Sequence, residues 1–443
     1  MRQVRRWGRI ACLLAIGGLV VGGVAGCSND SNNAPRNELA KYNSDVVVAW
    51  FKLFTQITQT EKLTPPVASR AFGYEGVALY ESVVGGWGTH QSLVGQLNGL
   101  TTVPQPISVA SYHWPTVANA ALATLARQIY DNDASQASLE LIDQLETSFN
   151  DQYAPVAGTS IFNRSVEYGK SVGDAIYEWS ATDGRVQLNN CIFNPPTGQG
   201  LWVPTPPSFA PPQQPCWGDL RNFVLSTPGD CAPPPPPPFD DRNPQAPFYL
   251  EAKEVFDVGN HLTTAQHDIA LFWADGGGTS TPPGHWMDIL SQLTVENDWT
   301  LDITAEAYCR LGLAQGDAFI SCWRTKYRYN FIRPITCIRT MFAGSWSPAI
   351  TTPPFPEYTS GHSVQSAASA EVLTDLFGIM PFTDSTHNAQ GMAPRQFSNF
   401  FDAANEAAIS RLYAGIHFHS AINKGLEQGT CIGQQVSALN FTR

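Results

Sequence analysis

The sequence predicts an all-α fold: two helical bundles joined by a proline-rich crossover. Three observations predict it. Apolar residues recur at helical spacing over residues 40–184 and again from 249 onward. Alternating patterns of the strand type are nearly absent. Between the two helical stretches, residues 191–248 hold so many prolines that neither a continuous helix nor a central strand can form. The chain has 443 residues, 43% hydrophobic and 11% aromatic, enough for a substantial core in one large or two medium domains. Its formal net charge of −12 argues against general nucleic-acid binding.

The first element is not fold. Residues 1–26 combine a basic start, "MRQVRRWGR", with the short glycine-rich apolar run "IACLLAIGGLVVGGVAG". That run is too short for a stable spanning helix. Val24-Ala25-Gly26-Cys27 resembles the lipobox of bacterial lipoproteins. The resemblance implies cleavage before Cys27 and a lipid anchor on that cysteine, tying the exported chain to the bacterial cell envelope. An ordinary secretory signal with a chance cysteine is the alternative. Cleavage removes four arginines and no acid, taking the net charge from −12 to −16. Residues 27–40, with "SNDSNNAPRN", read as a disordered polar tether.

Residues 41–190 form the first bundle. "NSDVVVAWFKLFTQIT" (43–58) carries a helical stripe with Asn43 or Ser44 as cap, and four later segments repeat the pattern, several ending at glycine. Residues 191–248 form the crossover, a long irregular segment held by Trp202, Trp217 and prolines, with a stiff six-proline run at 233–238. Residues 249–443 form the second bundle. Seven cysteines follow Cys27; an exported chain permits disulfides, and Cys216 and Cys231, flanking one loop, are plausible partners. An odd number leaves at least one free, and no zinc-type Cys/His spacing occurs.

Three segments of the second bundle carry chemistry. In "WRTKYRYNFIRP", Lys326 and Arg333 are seven apart, about two helical turns, and Pro334 places Arg333 at a helix end. In "PPFPEYTSGHS", a helix begins near Ser360–His362, because Val364, Ala368, Val372 and Leu376 follow at helical spacing and Gly378 closes the segment. Ser360 suits the cap, Gly361 allows close approach of a ligand, and His362 can move protons near neutral pH. In "SRLYAGIHFHS", Arg411 and His417 face one pocket only if it spans that face or the helix ends near Gly415. Each segment alone reads as ordinary: solvated cations, a helix cap, a packed histidine. Together, three cations, a helix N-terminus and two histidines make a cage for an oxyanion.

Lys-x6-Arg-Pro, Ser-Gly-His and Arg-x3-Gly-x-His, in that order, resemble the vanadium-dependent haloperoxidases and the type 2 phosphatidic acid phosphatase superfamily that shares their site. "VASRAFGYEGVALYESV" and "LFWADGGGTSTPPGHW" extend the resemblance to roughly residues 40–440. It implies two stacked four-helix bundles and a vanadate cofactor. His417 would be the axial metal ligand, and Lys326, Arg333 and Arg411 would balance the oxyanion charge. Ser360 and the Gly361 N–H would bond its oxygens, and His362 would be the acid/base. Trp323 and Phe355 would line the halide side, and Asp275 would be a carboxylate behind the cage pairing with one of its cations. One departure stands out. Where many members carry aspartate four residues after the axial histidine, this chain has Ala421, so another group must orient His417.

The family implies that hydrogen peroxide oxidises halide, iodide or bromide more readily than chloride, to hypohalous acid that halogenates a small organic acceptor. The same cage could instead serve an acid phosphatase acting through a phosphohistidine on His417. A lipid-anchored binding protein with an inactive site is a third reading. The absence of spanning segments after residue 27, the aromatic wall and the long first bundle favour the oxidase. An oligomer is compatible with the sequence.

Overall fold

Thirteen α-helices and one short hairpin make up residues 36–443, the residues described by this computed structural model. The leader and Cys27 lie outside the described residues. Residues 36–40, expected in the tether, are held: Glu38 N–H donates to Gly86 O at 2.8 Å, and Leu39 is fully buried.

The first helices follow the apolar stripes. They are α1 (Asp45–Thr60), α2 (Pro65–Val83), α3 (Trp114–Ile129), α4 (Gln136–Ala157) and α5 (Thr159–Ser180). α2 starts on Pro65 and α3 carries Pro115 as its second residue, and a proline's missing N–H costs nothing in a first turn. Ser135 caps α4 by accepting from Ser138 N–H.

The crossover contains no helix beyond short 3-10 turns until α6 (Pro247–Asn260). Trp202 and Trp217 are buried within it, as the sequence suggested. Asp317 pins its middle by accepting the N–H groups of Phe223 (2.6 Å), Val224 (2.9 Å) and Leu225 (2.9 Å). The cysteines pair differently from the expectation. Cys216 bonds Cys191, and Cys231 bonds Cys431, 200 residues away; Cys309, Cys322 and Cys337 are free. Cys216 and Cys231 are neighbours in sequence only, because the chain between them runs inward through Trp217, Leu220, Phe223 and Leu225 of the core.

The remaining elements are α7 (Thr264–Phe272), α8 (Thr281–Glu296), α9 (Leu301–Tyr329), α10 (Pro334–Met341), α11 (Gly361–Phe377), β1 (Phe382–Asp384), β2 (Arg395–Phe397), α12 (Phe400–Tyr413) and α13 (His419–Ser437). β1 and β2 pair antiparallel, Phe382 opposite Phe397. Three-residue strands are too short to show alternation, so the sequence does not reveal them. No described helix is long and apolar enough to cross a membrane.

Two helix crossings set the site. α9, almost wholly buried, meets α2 so closely that a Cβ on Gly312 would lie 2.4 Å from Phe72 O. α13 presents Gly425, Gly429 and Gly433 to α11, and a Cβ on Gly429 would lie 2.0 Å from Val364 O. Glycine at every fourth position gives α13 a bare stripe, which lets the backbones touch and fixes the N-terminus of α11.

Candidate active site

The cage is built from helix ends. α9 stops at Asn330, a left-handed cap, so Lys326 sits in its last turn while Arg333 is the extended residue before α10. The two are therefore not on one helical face, as their spacing suggested. Asn330 breaks the helix before Pro334 does, and the turned chain still brings both cations to one place. Ser360 caps α11, its Oγ accepting from Ser363 N–H at 3.3 Å, and its own N–H donates to Ala421 O at 3.1 Å. α12 ends at Tyr413, and Gly415, at φ +78°, turns the chain so that Arg411 and His417 both reach the cavity.

That cavity has a volume of about 430 Å3. Gly361, His362, Arg411, His417, Trp323 and Phe355 lie on its wall, as does Asp275. Lys326, Arg333 and Ser360 lie just behind the wall, fully buried. Lys326 Nζ donates to the carbonyls of Pro356 (3.1 Å), Glu357 (3.0 Å) and Thr359 (2.5 Å). Arg333 donates to Phe355 O and Ile416 O, both at 2.8 Å, and its Nη1 lies 3.3 Å from His417 Nε2. Arg411 donates to Ser410 Oγ at 2.8 Å and Ala270 O at 3.2 Å. None of the three forms an ion pair among the described residues. Burial lowers the Lys326 pKa to about 8 and those of Arg333 and Arg411 to about 10. Three buried cations without a paired carboxylate carry a desolvation cost that an anion relieves.

The missing orienting group is Glu357. Its Oε1 accepts His417 Nδ1–H at 2.8 Å and Phe418 N–H at 2.9 Å. With the proton on Nδ1, Nε2 keeps its lone pair toward the cavity. Burial pushes His417 well below the usual histidine range, and Arg333, Lys326 and Arg411 push the same way, so the ring is neutral and ready to bind a metal. Burial raises Glu357 to about 8, opposed by Arg333 and Lys326. Glu357 lies inside the quoted stretch "PPFPEYTSGHS"; the vacancy at Ala421, together with a carboxylate in the adjacent strap, was the available signal. His362 Nε2 is buried without a hydrogen-bond partner. Burial, then Arg411, push its pKa well below the usual value.

Asp275 does not pair with a cage cation. Its carboxylate is taken by His285 Nδ1 at 3.0 Å and His387 Nε2 at 3.1 Å. It reaches Arg411 only through space, raising that pKa against burial. The sequence offered no sign of His285 or His387, since their partners are 10 and 112 residues away from them.

A group with oxyanion and metal character fits these residues: unpaired buried cations, an orphaned imidazole nitrogen, a helix N-terminus and an oriented neutral histidine. The model of the VCPO second helical-bundle domain matches residues 306–442, the stretch that contains the cage. A search of curated proteins gave no match. Among solved structures, a bacterial vanadium-dependent iodoperoxidase shares 37% identity, covering 90% of this chain and 97% of its own, with a TM-score of 0.81. The holo form of a bacterial vanadium-dependent chloroperoxidase shares 16% identity over 86% of this chain and 93% of its own, TM-score 0.65, and so shares the fold. An apo-type chloroperoxidase structure matches similarly, at 14% identity over 90% of this chain and 98% of its own, TM-score 0.65. With both chains covered nearly end to end at that first level of identity, the chain belongs to the vanadium-dependent haloperoxidase family.

Proposed function

We propose that the protein is a vanadate-dependent haloperoxidase that uses hydrogen peroxide to oxidise halide, iodide or bromide before chloride, to hypohalous acid. The balanced step takes halide, hydrogen peroxide and one proton to hypohalous acid and water. The observation that carries it is the set of three buried, unpaired cations around His417, whose proton is fixed on Nδ1 by Glu357. Bound vanadate would supply a Lewis-acid centre that activates peroxide.

The chain's own residues do the rest. His417 offers Nε2 as the metal ligand. Arg333 and Arg411 hold oxyanion charge, and Lys326 anchors the strap beside them through its carbonyls. Gly361 N–H, at the start of α11, gives a further donor. His362, on the cavity wall with its Nε2 unpartnered, holds or releases the proton that the reaction consumes. Trp323 and Phe355 pack at 4.9 Å between ring centroids and give a soft apolar wall for a polarisable halide. The identity of the iodoperoxidase relative supports iodide as the first halide to try. A small organic acceptor would be halogenated by the product. The two disulfides support export; the lipid anchor at Cys27 and an envelope location rest on the lipobox-like Val24-Ala25-Gly26-Cys27.

The test is to load the protein with orthovanadate and follow iodide and bromide oxidation by peroxide, alongside the vanadate-free form on a chromogenic phosphate ester. Halide oxidation that needs vanadate and is lost in His417→Ala supports the proposal. Ester hydrolysis inhibited by vanadate, with no halide oxidation, replaces it with the phosphatase.

A further inference from the structure

A second constellation adjoins the cage, sharing Asp275 with its wall, and His285 and His387 have no place in the chemistry proposed above. Asp275, on the segment before α8, meets His285 of α8 and His387 of the β1–β2 connection. The ligand atoms of all three lie within 4.8 Å of one another, and all three residues are buried. The two imidazoles stack, centroids 4.3 Å apart at 29°, so His285 Nδ1 and His387 Nε2 face the two oxygens of one carboxylate. Each ring is held from behind. His285 Nε2 donates to Asp384 Oδ2 at 2.9 Å, and His387 Nδ1 lies 3.3 Å from Thr386 Oγ1. Asp384 is fixed in turn by Thr386 N–H at 3.0 Å and Thr386 Oγ1 at 2.7 Å. One nitrogen turned to a shared point and the other held by a polar partner suits a metal-ligating histidine; for His285 that partner is a carboxylate, for His387 the Thr386 hydroxyl.

There is also a way in. His387 and Thr386 line a second cavity of about 210 Å3, and every residue on its wall is polar or charged. Asp288 on that wall is a further carboxylate. The side chains of Asp275 and His285 have no exposed area, so an ion would arrive through the His387 side.

We propose that Asp275, His285 and His387 form a divalent metal site of the zinc class, distinct from the vanadate cage, with water from the second cavity completing the shell. Two imidazoles and one carboxylate match the borderline zinc ion better than calcium or magnesium, which take oxygen ligands. On binding, the protons that His285 Nδ1 and His387 Nε2 direct at Asp275 leave those nitrogens, to solvent or to the far nitrogen of the same ring, and the two freed lone pairs become ligands. The His285 Nε2–H stays on Asp384. The two charges of the ion are matched by Asp275 and Asp384. In the metal-free form protons hold the same places. Affinity rises with pH because the ion competes with protons for its ligand atoms. The ion would pin three segments, the 274–281 stretch, α8 and the β1–β2 connection, at one point.

The experiment uses the full chain, chelator-treated and vanadate-free, titrated with Zn2+ by calorimetry and with Co2+ by visible absorption. Expected are about one ion per chain, Co2+ bands of a four- or five-coordinate site, and tighter binding at higher pH. His387→Gln should abolish that binding, Asp384→Asn should weaken it about 10–100-fold, and His417→Ala should leave it unchanged. His285→Ala removes a buried charged group, so the more exposed His387 is the primary variant. No stoichiometric binding, or equal binding in His387→Gln, overturns the proposal, and neither result bears on halide oxidation.

Discussion

Glu357 Oε1 binds the Nδ1–H of His417 at 2.8 Å, and so takes the role left open by Ala421. The two residues are 60 apart in sequence, and the bond is fully buried. Glu357→Gln keeps the shape but replaces the carboxyl group with an amide, which can turn its NH2 toward His417 Nδ1 and cannot ionise. Vanadate affinity should fall about 10–100-fold, the effect of losing the partner behind a metal-binding histidine. Titrating halide-oxidising activity against vanadate measures it; an unchanged half-saturation would show that Glu357 does not orient the ligand.

Anions should stabilise the protein. Lys326, Arg333 and Arg411 are buried and unpaired, so a tetrahedral oxyanion offsets charge that the fold now holds alone. At a hundred times its Kd, vanadate should add about 2.7 kcal/mol, or roughly 3 °C in Tm for a chain of this size. Phosphate should act in the same sense. Thermal scans with chloride as the control check this, and no shift in Tm with either oxyanion counts against the cage.

Acid should weaken the fold through His362 and His417. Both have pKa values well below 6.5 in the folded state, so the unfolded chain binds protons first as pH drops. Stability is lost as pH falls through about 6.5, by at most about 1.4 kcal/mol per pH unit for each ring. Glu357 acts oppositely, because its raised pKa favours the folded state until pH passes about 8. Comparing His362→Gln with wild type cancels the Glu357 part. The variant should lose less stability than wild type between about pH 7 and 5; parallel profiles would argue against a neutral buried His362.

The two disulfides should differ in value. Cys231–Cys431 spans 200 residues and Cys191–Cys216 spans 25, so the first restrains the unfolded chain more. On the chain-entropy view, Cys431→Ser costs roughly 5 kcal/mol and Cys191→Ser roughly 3.5 kcal/mol. Urea unfolding of the two variants measures the order; a larger loss in Cys191→Ser would reverse it.

Gly429→Ala tests the bare stripe of α13. Its new methyl would press on Val364 O, so α11 must move or strain. A loss of about 1–3 kcal/mol is expected, with weaker vanadate binding because the start of α11 shifts. Stability equal to wild type would mean that the two helices do not touch there.

The cations and histidines of the site were legible because helix starts, stops and spacing are local properties. Ser360, Gly378 and Gly415 announced the ends of α11 and α12 in the sequence. A left-handed cap other than glycine leaves little trace in a sequence, so Asn330, and with it the true relation of Lys326 to Arg333, is not legible there. Glu357 was visible as a residue but not as a partner, since its bond closes a gap of 60 positions. The disulfides, the β1–β2 hairpin and the Asp275–His285–His387 group are long-range or very short features. Periodicity, which found the helices, carries no information about them.

Every charged or ligating group of the cage stands within about one turn of a helix terminus: the end of α9, the starts of α10, α11 and α13, and the end of α12. Helix ends open more readily than helix middles. A guest anion that ties these loose ends together acts as a common knot, and amide exchange slowed on loading should map to the corners of the fold rather than to its long rods.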